Sequence, residues 1–206
     1  MNSGQKKRLN SIFSRYYNYY YTIFNIDLTE DLLKKTEFTI EKPISSDLEL
    51  NILDFLLEIS KDIYNLNNQN DRKIRGQYPT VDKQIIRSII DGSLNNSKKD
   101  IRKLKILDPC AGTGNFIIVL LYDQFKLSNS FELILNILDN YVGIEIDPML
   151  IYFQKIQINL LLKYLSNNTS FYSKINIIQG DTTQKKISMK NYNSLTLKYL
   201  ISLILF

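Results

Sequence analysis

Histidine and tryptophan are absent from this sequence of 206 residues, and cysteine occurs once, at Cys110. Without histidine the chain offers no imidazole for general acid–base catalysis, and it lacks a ligand that most zinc and copper sites use. A single cysteine cannot form a disulfide within the chain, which argues against a disulfide-stapled fold. The composition therefore directs attention to mechanisms that need neither histidine nor a metal ion.

Secretory and membrane signals are also scarce. The first eight residues lack the apolar core of a signal peptide, and the apolar run "SLTLKYLISLILF" is shorter than the roughly 20 residues that cross a bilayer. We expect a cytoplasmic protein without a membrane partner. The formal net charge of +5 and a pI near 9.1 are compatible with a polyanionic partner such as DNA, but do not require one.

The first part of the sequence has helical periodicity. Apolar residues recur at helical spacing up to Leu66, most clearly in "ELNILDFLLEISKDIYNL", for which we expect an N-cap at Ser46 or Asp47. A second helix is predicted in "VDKQIIRSIIDG", with Gly92 as its C-cap. We therefore divide the chain into a helical N-terminal region, residues 1–70, and a second domain, residues 71–206.

The sequence pattern changes after Lys103, where short aliphatic runs alternate with runs of helical periodicity. The runs "KLKILD", "YVGIEID" and "KINIIQGD" predict strands, and "FIIVLLYDQFKL" and "PMLIYFQKIQINLLLKYL" predict helices between them. Strand and helix in alternation are typical of an α/β fold with a buried parallel sheet. The predicted fold class is α/β, preceded by a helical region.

Each of the three predicted strands is followed by an acidic residue. Ligands of parallel α/β sheets bind at the carboxyl ends of the strands, where the sequence places Asp108, Glu145 and Asp181. Gly112 and Gly114 follow the first strand and permit a tight turn directly before a helix N-terminus. These residues form the candidate binding site.

A Gly-x-Gly turn at this place has two interpretations as a cofactor site. A nicotinamide dinucleotide needs a third glycine and a site that tolerates phosphate, whereas here a carboxylate precedes the turn and "NFI" follows it. S-adenosylmethionine fits better, because Asp108 can lie near its ammonium group, Glu145 can accept from the ribose hydroxyls and Asp181 can accept from the adenine amine.

Four segments in this order resemble a known family. "GQYPT", "ILDPCAGTGNF", "GIEIDP" and "QGD" look like the motifs of the DNA methyltransferases that modify adenine N6 in bacterial restriction–modification systems. The resemblance covers about residues 50–181 and implies an incomplete Rossmann-like, S-adenosylmethionine-dependent methyltransferase fold. The cofactor-binding residues that it and the strand ends imply are Gln77, Tyr78, Thr80, Asp108, Ala111, Gly112, Gly114, Phe116, Glu145, Ile146 and Asp181.

The resemblance also implies a role for each segment. The "GQYPT" turn would fold over the methionine end of the cofactor, although Pro79 and Val81 depart from the family pattern and a simple turn between helices is the alternative. Phe116 would pack beneath the glycine turn, and Ile146 would cover one face of the adenine. Asp147-Pro148 is expected to begin a helix, and Cys110 to be a small packed residue rather than a nucleophile.

The catalytic motif of the family, Asn/Asp-Pro-Pro-Tyr/Phe, does not occur in this sequence. We therefore assign no catalytic residue and no metal site, and expect the chain alone to be inactive. A truncated gene product and one subunit of a split enzyme, completed by a second subunit that supplies catalysis and DNA recognition, are the two explanations. The rival functions are a small methyltransferase with another acceptor, and a nucleic-acid or protein interaction module with a vestigial methyltransferase domain.

Overall fold

A computed structural model describes residues 51–66, 79–97, 99–168, 171 and 173–182. The chain divides into two compact units. The first comprises residues 1–81 and 160–171, and the second comprises residues 82–159 and 172–206. The predicted cap residues Ser46 and Asp47, and most of the "GQYPT" turn, lie outside the described residues.

The first unit contains helix α1, Ile52–Leu66. Its buried side chains recur every three or four residues, as the periodicity predicts; they include Leu53, Leu56, Ile59 and Ile63. The expected cap at Ser46 or Asp47 is wrong for this helix. Asn51 caps it instead, because its Oδ1 accepts from the N–H of Asp54 at 3.0 Å.

The second unit begins with helix α2, Lys83–Ser97. Asp82 caps it, since its Oδ1 accepts from the N–H groups of Gln84 and Ile85 at 2.8 and 3.1 Å. The predicted end at Gly92 is wrong, because the helix continues for five more residues. A glycine inside a helix costs about 1 kcal/mol, which the surrounding turns can outweigh.

A parallel sheet forms the centre of the second unit. The strands are β1, Ile106–Asp108; β2, Tyr141–Glu145; and β3, Ile177–Gln179. Among the described residues their order is β1-β2-β3, and both pairings are parallel. The predicted strands and their parallel arrangement are confirmed. All three strands consequently present their carboxyl ends at one edge of the sheet.

Helices connect the strands. Between β1 and β2 lie α3, Asn115–Ser128, and α4, Phe131–Asp139, while α5, Pro148–Ser166, follows β2. The sequence interpretation did not include α4, which Ser130 caps by accepting from the N–H of Leu133 at 3.2 Å. The helices bury apolar side chains of the core; among them are Ile117, Ile118, Val119, Leu121, Ile134, Ile137, Leu150, Phe153 and Ile158.

An ion pair links α2 to α3. The guanidinium of Arg87 donates from Nε and Nη2 to the two carboxylate oxygens of Asp123, each at 2.7 Å. Both side chains are partly exposed, so the pair fixes geometry more than it contributes stability. Within the described ranges, no helix combines the length and the apolar character needed to cross a membrane.

Candidate functional site

The glycine turn after β1 forms the upper part of the candidate site. Gly112 and Gly114 adopt left-handed φ angles of 53° and 86°, which favour glycine. The N–H of Ala111 donates to the carbonyl of Ile144 at 2.9 Å, and the N–H of Gly114 donates to the carbonyl of Ala111 at 2.8 Å. The turn is therefore closed on itself and held against β2, with helix α3 beginning directly after it at Asn115.

Glu145, the last residue of β2, joins two loops. Its side chain is buried; Oε2 accepts from the N–H of Gly112 and Oε1 accepts from the N–H of Asp147, both at 2.9 Å. A carboxylate oxygen has two lone-pair directions, so each atom can accept one further hydrogen bond. Glu145 thus shapes the turn and retains the capacity to bind ligand hydroxyls.

Helix α5 supports the turn from below with two buried glutamines. Gln157 Nε2 donates to the carbonyl of Thr113 at 3.2 Å, and Gln154 Nε2 donates to the hydroxyl of Tyr141 at 2.7 Å. A Cβ on Gly114 would lie only 2.7 Å from Cγ of Gln154, so the left-handed glycine also makes room for this side chain. The sequence interpretation did not identify these residues, although polar side chains three positions apart in an apolar helix are a signal for such contacts.

Asp108 ends β1 with a carboxyl group that is partly desolvated. Its Oδ1 accepts from the N–H of Cys110 at 3.3 Å, while its Oδ2 is buried and has no hydrogen-bond partner in the described parts of the chain. Burial raises the pKa of Asp108 to about 6, and the negative charge of Glu145 acts in the same direction. The Cys110 N–H partly opposes this rise. The site thus contains a carboxyl group that ionises near neutral pH.

Replacing Asp108 by asparagine should stabilise the protein at high pH. A carboxyl whose pKa is raised on folding has no effect below pH 3.8, destabilises the fold progressively between pH 3.8 and about 6, and does so fully above. Since each pH unit between the two pKa values corresponds to about 1.4 kcal/mol, Asp108→Asn should gain about 1–3 kcal/mol at pH 8 and nothing at pH 4. Urea unfolding at both pH values measures this. A gain of the same size at pH 4 would contradict the assignment.

The chain after β3 meets the chain after β1 at the same edge of the sheet. The N–H of Gly180 donates to the carbonyl of Glu145 at 3.0 Å, and Cys110 Sγ lies 4.0 Å from Oγ1 of Thr182. Asp181 lies between these two contacts and is half-buried. The segments that carry Asp108, Glu145 and Asp181 therefore converge, as expected for the carboxyl ends of parallel strands.

The remaining predicted residues lie around this edge. Phe116 is half-buried in the first turn of α3, and Ile146 is 50% exposed after β2. The expected helix start is confirmed, since α5 begins at Pro148 and Asp147 Oδ1 accepts from the N–H of Met149 at 2.9 Å. The packed position expected for Cys110 is wrong: its side chain is exposed, because the turn buries the neighbouring Ala111 instead.

The structure describes one of the predicted cofactor residues of the "GQYPT" segment, Thr80. Thr80 is half-buried and belongs to the first unit, while the other site residues described above belong to the second. Gln77 and Tyr78 lie outside the described residues, so their assignment stays a prediction.

The site offers oxygen acceptors at one edge of a sheet and the positive end of a helix dipole beside them. In the described ranges, no group of three or more histidine, cysteine, aspartate or glutamate side chains is arranged to hold a metal ion. Such a site suits a ligand that carries both a cationic group and several hydroxyl or amino donors. No protein-family model matches this chain, and searches of curated proteins and of solved structures found no similar protein.

Proposed function

We propose that the second unit binds S-adenosylmethionine at the carboxyl edge of its sheet, as the cofactor-binding portion of an adenine-N6 DNA methyltransferase with an incomplete Rossmann-like fold. One observation carries the proposal: the carboxylates of Asp108 and Glu145 lie at the ends of adjacent parallel strands, on either side of a glycine turn that Glu145 holds. This arrangement suits a ligand with a cationic amino-acid end and a ribose.

Each acceptor has a partner in this ligand. Asp108 Oδ2, which lacks a hydrogen-bond partner among the described residues, faces the ammonium group and supplies the opposite charge. Glu145 accepts from the ribose hydroxyls through its remaining lone pairs, and Asp181 accepts from the adenine amine. Ile146 offers an exposed apolar surface to one face of the adenine.

The dinucleotide alternative is less consistent with this site. The negative charge of Glu145 lies 2.9 Å from the Gly112 N–H, which is the kind of donor that a pyrophosphate would need. The helix that follows the turn continues with Asn115, Phe116 and Ile117, and none of these is the third glycine of a dinucleotide fingerprint. Repulsion between carboxylate and phosphate therefore favours a cationic ligand.

A ligand comparison tests the proposal. S-adenosylmethionine should raise the melting temperature progressively, with the logarithm of its concentration above the dissociation constant, while NAD⁺ at the same concentrations should not. Glu145→Gln should remove the effect of S-adenosylmethionine, and Asp139→Asn, on an exposed residue at the end of α4, should retain it. A larger shift with NAD⁺ than with S-adenosylmethionine would overturn the proposal.

Methyl transfer to DNA requires groups that this sequence does not supply. An exocyclic amine has a delocalised lone pair, so transfer needs fixed acceptors for its hydrogens and a clamp for the flipped base. The proposed partners are DNA and a second polypeptide that carries those groups.

The purified chain alone should transfer no methyl group to adenine in DNA. Without groups that position the amine, the proximity and electrostatic contributions to catalysis are absent even when the cofactor is bound. Incorporation of labelled methyl groups into mixed-sequence DNA measures this, with and without the co-expressed product of the adjacent reading frame. Activity of the mixture alone would favour a split enzyme, while activity of the single chain would refute this part of the proposal.

A further inference from the structure

Beneath the glycine turn lies a buried polar cluster formed by Asp108, Tyr141 and Gln154. Tyr141 and Gln154 are almost completely buried, and Gln154 Nε2 donates a hydrogen bond of 2.7 Å to the hydroxyl of Tyr141. Asp108 Oδ2 and Gln154 Oε1 are buried without a hydrogen-bond partner in the described parts of the chain. Unpartnered buried polar atoms are uncommon in native proteins, so a cluster containing two of them calls for an explanation.

The strand register puts Tyr141 and Asp108 on the same face of the sheet. Asp108 pairs with Gly143 on the neighbouring strand, so the two positions share one face of the sheet. A Cβ on Gly143 would lie 2.7 Å from the hydroxyl oxygen of Tyr141. The hydroxyl therefore occupies the space that a side chain would fill at Gly143, the strand partner of Asp108.

The chemistry of the hydroxyl suits this neighbour. A phenol has one donor and two acceptor positions, and the Tyr141 oxygen already accepts from Gln154. Its own proton is then left to donate. Burial raises the pKa of Tyr141 well above its usual value and the charge of Asp108 raises it further, so the proton stays on the oxygen at neutral pH.

We propose that Tyr141 is a positioning residue of the cofactor site, whose hydroxyl is anchored by Gln154 and donates to the carboxylate of Asp108 once that group ionises. The proposal rests on the proposed function in one respect, which is that the ionised Asp108 receives the cationic end of the ligand. Gly143 is required because any side chain there would displace the hydroxyl.

Other groups near Asp108 act on the same ionisation. Glu145 on β2 opposes it by its negative charge, and the Cys110 N–H favours it by donating to Oδ1. Tyr141 adds a second donor that favours the charged form. The prediction is that ligand affinity falls as the pH drops through the pKa of Asp108, and that Tyr141 sets where this fall occurs.

The link between Tyr141 and Asp108 can be tested without any ligand. In the wild-type protein, the carboxyl resonance of Asp108 and the Cζ resonance of Tyr141 should titrate with one common midpoint. Tyr141→Phe should raise the midpoint of Asp108 by about one pH unit, the size expected for one hydrogen bond to a charged group. Tyr122→Phe, on a half-buried residue of α3 next to Lys126, should leave it unchanged.

The consequence for binding is tested separately by titrating S-adenosylmethionine at the pH of the wild-type Asp108 midpoint and two pH units above it. Tyr141→Phe should weaken binding about fivefold at the midpoint and leave it nearly unchanged two units above. The proposal would be overturned if the Cζ resonance of Tyr141 did not shift while Asp108 titrates, or if Tyr141→Phe lost equal affinity at both pH values. If Tyr141→Phe does not fold, the wild-type resonances still decide. Coupled resonances without any binding would instead refute the proposed function while supporting the role of Tyr141.

Discussion

Replacing Glu145 by alanine should weaken binding of S-adenosylmethionine about tenfold to a hundredfold and destabilise the second unit. The substitution leaves the buried N–H of Gly112 and the partly buried N–H of Asp147 without their acceptor. An unsatisfied buried donor costs about 1–3 kcal/mol and a partly buried donor costs less, so we expect a loss of about 1–4 kcal/mol in the free energy of unfolding. Apart from this loss of stability, the affinity of the folded protein for S-adenosylmethionine should fall by a factor of about ten to a hundred, because the charge-assisted bonds to the ribose are lost.

Asp147→Ala is the matched control, two residues away. The Asp147 side chain accepts from the N–H of Met149 and caps α5, which is worth about 0.5–2 kcal/mol of stability. The affinity of the Asp147→Ala variant for S-adenosylmethionine should equal that of the wild type, when it is measured under conditions where the Glu145→Ala and Asp147→Ala variants are both folded. Glu145→Gln helps to separate the two effects, since it keeps the size of the side chain and one carbonyl acceptor, while it removes the charge and replaces the second acceptor by an amide donor. Equal losses of affinity in Glu145→Gln and Asp147→Ala would refute the assignment of Glu145 to the ribose.

Gly114→Ala should be the second severe substitution. A left-handed φ of 86° costs a residue with a Cβ about 1–2 kcal/mol, and the new Cβ would lie 2.7 Å from Cγ of Gln154. Overpacking in such a place costs about 1–3 kcal/mol more, so we expect a total loss of about 2–5 kcal/mol in urea unfolding. Helix α3 and the turn should be affected together, because Gly114 belongs to both.

Two further variants identify the cause of this loss. Gly92→Ala, where nothing lies within 4 Å of the added Cβ, should instead stabilise the protein by about 0.5–1 kcal/mol. In a Gln154→Ala background, which lacks Cγ and the bond to Tyr141, Gly114→Ala should cost only the backbone strain relative to Gln154→Ala alone. If Gly114→Ala were as well tolerated as Gly92→Ala, the geometry of the turn described above would be wrong.

The sequence located the strands and the edge that carries the site because both have local signals. Short aliphatic runs that end at Asp108, Glu145 and the segment before Asp181 are distinguishable from the amphipathic helices between them. Parallel pairing then brings the strand ends together without further information. Asp147-Pro148 was also predictable, since a capping residue followed by proline marks a helix start.

For the contacts that support the site from below, the sequence indicates that two polar side chains are buried but not which residues they reach. Gln154 and Gln157 are polar residues in an apolar helix, and only the fold determines that they reach Tyr141 and Thr113. The second role of Glu145, holding the turn through the Gly112 N–H, likewise depends on the register between strands and not on spacing. The error at Gly92 has a simpler cause, because a glycine after an apolar run is compatible both with a helix end and with a helix interior.

Calorimetric titration of the wild-type chain with S-adenosylmethionine tests the central claim most directly. We expect one molecule bound per chain at pH 8, with a dissociation constant larger than about 1 µM. The affinity is limited because both oxygens of Glu145 already accept backbone hydrogen bonds, so the ribose uses only their remaining lone pairs. NAD⁺ should give no saturable heat under the same conditions. A folded chain that shows no saturable binding of S-adenosylmethionine at millimolar concentration, or that binds NAD⁺ equally well, would contradict the account.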